Sequence, residues 1–260
     1  MSLTLLDVGG SYIKCADGRK IPVPSKGTRE EIAVALREAC GEGEAIGIAI
    51  PGPFNYKDGI FLMKHKYAAV YGEKFASLAG IPEGVTVKFM HDVNAPLAGA
   101  LKMMGLKDAA LVTLGTGLGF SYALDGKVLE NENGSPAMSL WNTPWEGGIL
   151  EDFVSARAIS SGYTRKTGKP CRSAFEAARM ADFGDLDAME VYSDMGFVLG
   201  RALRPILDGL GITTLLMGGQ ISRSMGLFIR PLQAELPGVT IETAPESAVF
   251  EGLATLFETN

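Results

Sequence analysis

Two glycine loops and one acidic strand end hold the residues that could do chemistry. Asp7-Val8-Gly9-Gly10-Ser11 closes the apolar run Leu3 to Val8, and Gly115-Thr116-Gly117-Leu118-Gly119 follows Ala109 to Leu114. Glycines at a strand end present backbone N–H groups with no Cβ in the way, so such a loop can wrap a phosphate. Asp7 adds a carboxylate able to hold magnesium through water, and Ser11 and Thr116 add hydroxyls. Neither loop ends in Gly-Lys-Ser/Thr, and both run into a hairpin instead of a helix, which argues against a P-loop and a dinucleotide fingerprint. One such loop alone reads as a tight turn; two in register read as a grip on a nucleotide's terminal phosphates. His91-Asp92-Val93-Asn94 closes a third run, Val85 to Met90. A carboxylate at a strand end of an open α/β sheet sits where ligands collect, and it can take the proton of an attacking hydroxyl. Asn94, ahead of Ala95-Pro96, reads as the N-cap of the next helix and leaves Asp92 free. A lone histidine such as His91 is more often structural than catalytic.

The elements that must position these residues follow from periodicity and punctuation. Leu3 to Val8, Tyr12 to Ala16 and Arg19 to Val23 read as strands, with a two-residue turn at Asp17-Gly18. Thr28 with Glu31 is a capping box opening a helix to about Cys40. Ala45 to Ile50 is a buried strand stopped by Pro51-Gly52-Pro53, Glu73 to Ala79 is helical, and a helix runs from Asn94 to about Met104. Phe120 to Leu124, Asp125-Gly126 and Lys127 to Leu129 form a second hairpin. Gly148 to about Leu210 reads as mostly helical, with a break near Gly162 to Lys169. Thr213 to Met217 is a strand ending at Gly218-Gly219, followed by a helix near Arg223 to Glu235, a strand at Val239 to Thr243 and a helix near Glu246 to Phe257. At an offset of 108, Leu6 to Arg19 aligns with Leu114 to Lys127, placing Gly9 on Gly117 and Tyr12 on Phe120. The economical reading is two lobes of similar build.

Composition narrows the function class. Of 260 residues 33 are glycine, while 47% are hydrophobic and 21% charged, which excludes a disordered or collagen-like chain. The net charge of −6, with no concentrated Lys/Arg stretch, gives no support to a nucleic-acid or membrane-surface role. Cys15, Cys40 and Cys171 are scattered, and no secretory leader precedes Leu3, so they read as reduced thiols of a cytoplasmic protein. The apolar runs are strand-length and too short to span a bilayer.

Taken in order, the motifs resemble those of the ROK family of sugar kinases, within the actin-like ATPase superfamily. L-D-V-G-G-S resembles the first phosphate loop, I-A-I-P-G-P the loop beside the sugar, and H-D-V-N-A the segment with the catalytic aspartate. L-G-T-G-L-G-F is similar to the second phosphate loop, G-I-L-E (Gly148 to Glu151) to a sugar-binding segment, and M-G-G-Q-I-S to the adenosine-side glycines. Ala244 to Leu256 is similar to the closing helix. The resemblance implies a two-lobed α/β fold of the actin-like (ribonuclease H-like) type with a cleft between lobes. The lobes would be residues 1–105 and 106–260, with a final helix at about 246–260 packing back on the first. It implies ATP- and Mg2+-dependent phosphorylation of a hexose or N-acyl amino sugar in the cytoplasm, in a possible homodimer without nucleic-acid or membrane partners. Asp92 would be the general base and Asp7 the outer-sphere magnesium residue. Gly9, Gly10, Ser11, Thr116 and Gly117 would hold phosphates, and Gly218 and Gly219 the adenosine. Pro51, Gly52, His91, Asp92 and Glu151 would line the sugar.

The departures from the family pattern are specific. Where the family has E-x-G-H, this chain reads Gly134-Ser135-Pro136-Ala137, and its zinc cysteines would fall at Asn142, Pro144 and Ile149. Those side chains cannot build a thiolate/imidazole zinc site, so none is expected. His91 replaces an asparagine and Tyr12 stands where many members have a lysine; Glu132, Trp141 or Trp145 are candidates to fill the altered pocket. The altered sugar contacts leave a second reading open, a non-catalytic sugar or nucleotide sensor.

Overall fold

The computed structural model describes residues 2–258. Contacts divide it into two compact units. The first takes the chain up to residue 107, residues 126–137 and residues from 245 on; the second takes residues 108–125 and 138–244. A single cut after residue 105 would assign 126–137 to the second unit, whereas this segment belongs to the first.

In the first unit β1 (Leu3–Val8), β2 (Tyr12–Cys15) and β3 (Lys20–Pro22) form an antiparallel meander, followed by α1 (Arg29–Cys40) and β4 (Ala45–Ile50). The short hairpin β5 (Phe54–Asn55) and β6 (Ile60–Phe61) leads to α2 (Phe75–Ala79), β7 (Thr86–His91) and α3 (Asn94–Met104). The sheet order is β3-β2-β1-β4-β7, with β1, β4 and β7 parallel. Central β4 reads AIGIAI and is buried at every position, as a parallel strand covered on both faces must be. On one face Ile32 and Leu36 of α1 pack with Leu6, Ile46, Ile48, Phe61 and Phe75. On the other, Ala49 meets Ala95 of α3 and Leu253.

The helix of Leu253 is the last in the chain. At the glycine crossing of α3 the two helices touch backbone to backbone, since a Cβ on Gly99 would lie 1.8 Å from the Ala248 carbonyl oxygen. Thr28 caps α1 as the sequence predicts, with its hydroxyl accepting from Glu31 N–H and Glu31 accepting from Thr28 N–H at 2.8 Å.

In the second unit β8 (Ala109–Leu114) pairs antiparallel with β9 (Leu118–Leu124). The segment β10 (Lys127–Val128) lies within residues 126–137. A small hairpin, β11 (Pro144–Trp145) with β12 (Gly148–Ile149), carries Pro144 and Ile149, two of the zinc-ligand positions of the resembled family. Then come α4 (Ala156–Thr167), α5 (Ala174–Asp182), α6 (Leu186–Leu210), β13 (Thr214–Gly218), α7 (Ile229–Glu235) and β14 (Thr240–Thr243). The chain closes with α8 (Ala248–Thr255), the helix of Leu253 in the first unit. β13 runs parallel to both β8 and β14.

The run β9-β8-β13-β14 therefore repeats the pairing of β2-β1-β4-β7, an antiparallel hairpin beside two parallel partners. The element ends match two residues out of step with the 108 offset, because β1 ends at Val8 and β8 at Leu114.

Four local expectations need correction. The stretch after Gly148 begins as strand and 3-10 turn, and the helical break falls after Gly168, with Gly162 inside α4. The helix near Arg223 to Glu235 is split into a 3-10 segment, Gln220–Leu227, and α7. The first hairpin closes with three residues, because Cys15 N–H bonds Arg19 O and only Gly18 has positive φ there. At Asp125 and Gly126, by contrast, both φ values are positive (52° and 76°), the two-residue type I′ turn. Finally, Asn94 is not a cap: it is the first residue of α3, and its buried side chain turns elsewhere.

Candidate active site

Parallel pairing brings three strand ends of the first unit to one edge. Asp7 of β1 is level with Ala49 of β4, and Ile50 is level with His91 of β7. The loops that follow therefore gather Gly9, Gly10, Ser11, Pro51, Gly52 and Asp92. This edge is where an open α/β sheet collects ligands.

The first glycine loop is held by its carbonyls. Tyr67, fully buried, donates its hydroxyl to Gly9 O at 2.5 Å, and the Ser25 hydroxyl donates to Gly10 O. Gly9 N–H closes the turn on Tyr12 O at 2.9 Å. The Gly10 and Ser11 N–H groups have no protein acceptor among the described residues, so the loop keeps two donors available, as an anion site requires. A Cβ on Gly10 would lie 3.8 Å from Lys66 Cδ, which sets a lysine stem along the loop. Asp7 is paired with Lys14 Nζ at 2.8 Å through Oδ2. Its second oxygen suits outer-sphere coordination of a hydrated magnesium, whose waters need acceptors and not direct ligands.

Asp92 is the centre of the site. Its N–H donates to Ile50 O at 3.2 Å, and its Oδ1 lies 2.9 Å from His91 Nδ1. Val93 N–H is also 3.3 Å from that nitrogen. One ring nitrogen cannot both accept from Val93 and donate to a carboxylate. The shorter, charge-assisted contact decides: Nδ1 carries hydrogen toward Asp92, and Val93 N–H serves Asp92 as well. Burial works to raise the Asp92 pKa. The His91 hydrogen bond and charge, with Lys66 and Val93 N–H, outweigh it and hold the carboxyl below the usual aspartate range. With 35% of the side chain still exposed, a small molecule can reach the carboxylate.

Three residues that sequence reasoning passed over complete the cluster: Tyr56, Lys66 and Glu130. Asn94 donates its side-chain amide to Glu130 Oε1 at 2.9 Å. Burial lifts the Glu130 pKa against the opposing effects of Asn94 and His91. Tyr56, in the β5–β6 hairpin, donates to Ile50 O at 3.0 Å, and its ring centroid is 5.7 Å from that of His91. Burial, then the charges of Asp92 and Glu130, keep its phenol protonated. Gly52 sits against both rings: a Cβ there would be 3.4 Å from His91 Nε2 and 3.5 Å from the Tyr56 hydroxyl. Asn94 and Glu130 are 36 residues apart in the chain, and no local pattern marks such a pair.

In the second unit the other expected residues form a separate group. Ala156 N–H holds Gly115 O at 2.8 Å, and Gly115 N–H bonds Gly117 O at 3.0 Å. Glu151 accepts Leu118 N–H at 2.9 Å and lies so close to Gly117 that a Cβ there would be 2.5 Å from its Oε2. Its carboxylate therefore braces the second glycine loop. Thr116 stands exposed at the tip. Gly218 is level with Thr113, and Gly219 takes φ 82° and ψ 175°, a region open in practice only to glycine. A Cβ on Gly219 would meet Leu114 O at 2.3 Å.

No family model matches the chain. A curated relative, a glucokinase of Halalkalibacterium halodurans, is 24% identical over 175 residues, 58% of this chain and 53% of the relative. The chain thus matches about half the length of that relative. Among solved structures, a ROK hexokinase from Thermus thermophilus superposes with a TM-score of 0.72 at 22% identity, covering 98% of this chain and 97% of the other. A ROK family glucokinase from Streptomyces griseus, in complex with glucose and AMPPNP, gives 0.80 at 19% identity over 98% and 99%. A ROK family transcriptional regulator, a homolog of the E. coli MLC protein, gives 0.76 at 19% over 98% and 81%. Among the described residues no helix is long and apolar enough to cross a membrane. The α/β fold of this chain is the fold of these solved ROK structures.

Proposed function

We propose that the protein is a carbohydrate kinase that transfers the terminal phosphoryl group of ATP to a hydroxyl of a hexose or N-acyl amino sugar. The observation that carries this reading is Asp92, an ionised, reachable carboxylate beside a loop whose free N–H groups suit phosphate. Asp92 accepts the proton of the sugar hydroxyl as that oxygen attacks phosphorus. His91 Nδ1–H holds Oδ1 and so orients the carboxylate. Gly10 and Ser11 donate to phosphoryl oxygens, Thr116 and Gly117 do the same from the second loop, and Gly218 and Gly219 lie along the adenosine. Pro51, Gly52 and His91 line the sugar, and Glu151 orders the second loop. Magnesium, when bound, neutralises phosphate charge; Asp7 is the residue fitted to hold its water shell. The same reading takes the enzyme as cytoplasmic, with neither nucleic acid nor membrane as partner and with a homodimer as its possible assembly.

A panel of hexoses and N-acyl amino sugars with Mg-ATP tests it. ADP release should appear only with a true acceptor. Asp92→Asn should lower kcat by about 10²–10⁴-fold, the usual contribution of a general base, with nucleotide affinity retained. A second reading, a sugar-binding sensor without turnover, is favoured by Gly134 to Ala137 standing where E-x-G-H is expected. Sugar binding by calorimetry with no ADP release from any acceptor would establish that reading instead.

A further inference from the structure

We propose that Glu130 is a specificity-determining contact, accepting a hydrogen bond from the sugar hydroxyl neighbouring the one that Asp92 deprotonates. The site would then select neutral acceptors with two adjacent hydroxyls and reject sugar acids and sugar phosphates. This rests on the kinase reading of the same site.

Glu130 is fixed from both sides. Its backbone bridges Pro136 across a tight loop. Within that loop Asn131 N–H bonds Ser135 O, and Asn131 Oδ1 accepts from Asn133 and Ser135 N–H. Gly134, with φ 78°, packs on Tyr56, where a Cβ would lie 3.0 Å from the Tyr56 Cβ. The side chain is held through Oε1 by Asn94, the first residue of the helix that begins two residues after Asp92. Oε2 has no protein donor among the described residues. The Tyr56 phenol feels the charge of both Asp92 and Glu130, and His91 bonds one carboxylate while acting on the other. Two carboxylates thus border the Tyr56–His91 pair. A neutral diol can donate one hydrogen to each; an anion there meets two like charges and loses affinity.

The test pairs Glu130→Gln with deoxy sugars. For the wild type, removing the hydroxyl adjacent to the phosphorylated one should weaken binding roughly tenfold or more, the range for a hydrogen bond to a charged group. Glu130→Gln should raise the acceptor KM by about the same factor, leave kcat within about threefold, and flatten the difference between parent and deoxy sugar. Its melting temperature should stay at the wild-type value. An unchanged KM, or a deoxy penalty as large in Glu130→Gln as in the wild type, overturns the proposal. If the wild type phosphorylates no sugar, the kinase reading fails, and calorimetry with the same sugars still decides the role of Glu130. If it binds none of them, both fall.

Discussion

Gly99→Ala should damage the first unit out of proportion to one added methyl group. In α3 the new Cβ would sit 1.8 Å from Ala248 O and 2.7 Å from Gly252 N, whereas ordinary contact begins at 3.4 Å. Both atoms are backbone of α8, so no rotamer change relieves the clash, and α8 must retreat by about 1.6 Å. A radial gap of about 0.5–1 Å already forfeits a quarter to a half of a dispersion contact, and the retreat opens the Ala49–Ala95–Leu253 cluster. Overpacking of this kind costs about 1–3 kcal/mol and occasionally more. The lost α8 contacts add about 2 kcal/mol, the scale of one buried Leu side chain such as Leu253, and the better helix propensity of alanine returns about 1 kcal/mol. The net is about 2–4 kcal/mol, a fall of roughly 4–16 °C in Tm for a chain of this size. Thermal melting followed by circular dichroism reads it directly. Gly252→Ala, whose Cβ would be 1.9 Å from Ala95 O, should behave alike. Gly209→Ala in α6, with nothing within 4 Å of its Cβ, is the control and should be neutral or stabilising. If Gly99→Ala melts with the control, the backbone-to-backbone crossing of α3 and α8 is wrong.

Two further outcomes follow from the site. The Asp92 pKa is depressed, so the base proposed there would be present above that pKa and lost only as pH falls through it. His91→Ala should therefore move the acid limb of kcat/KM upward by about one unit or more, because a hydrogen bond to a charge is worth ~1.5–3 kcal/mol and one unit ~1.4 kcal/mol; an unmoved limb would show that His91 does not hold the base. Gly219→Ala forces a side chain into a glycine-only region and onto Leu114 O, so it should weaken ATP binding roughly tenfold, at ~1–3 kcal/mol of strain, and calorimetry with Mg-ATP reads the change.

The parts of the fold that were legible in the sequence are those written locally. The AIGIAI run can only be a strand buried on both faces, and Thr28 with Glu31 marks the start of α1 to the residue. The first glycine loop and His91-Asp92 were legible together because the ends of β1, β4 and β7 share an edge, and the second loop was legible from its own glycines. What stayed hidden depends on partners far along the chain. Asn94 has the residue type and position of a cap, yet Glu130 offers its amide a carboxylate that local sequence does not reveal. Glu151 reads as a ligand contact by motif, and local sequence does not reveal that its Oε2 also accepts Leu118 N–H. Gly162 looks like a break but faces Val191 of α6, where a small residue lets two helices approach.

The last helix has a consequence for how the chain is made. α8 supplies one wall of the first unit, yet it is translated only after every residue of the second. On the ribosome, Ala49 and Ala95 must wait with an apolar face uncovered while some 140 further residues emerge. The second unit is interrupted only by a short excursion, so it can close before the first. The segment made earliest is thus completed only once α8 has emerged, and contacts of such long sequence separation slow folding in general.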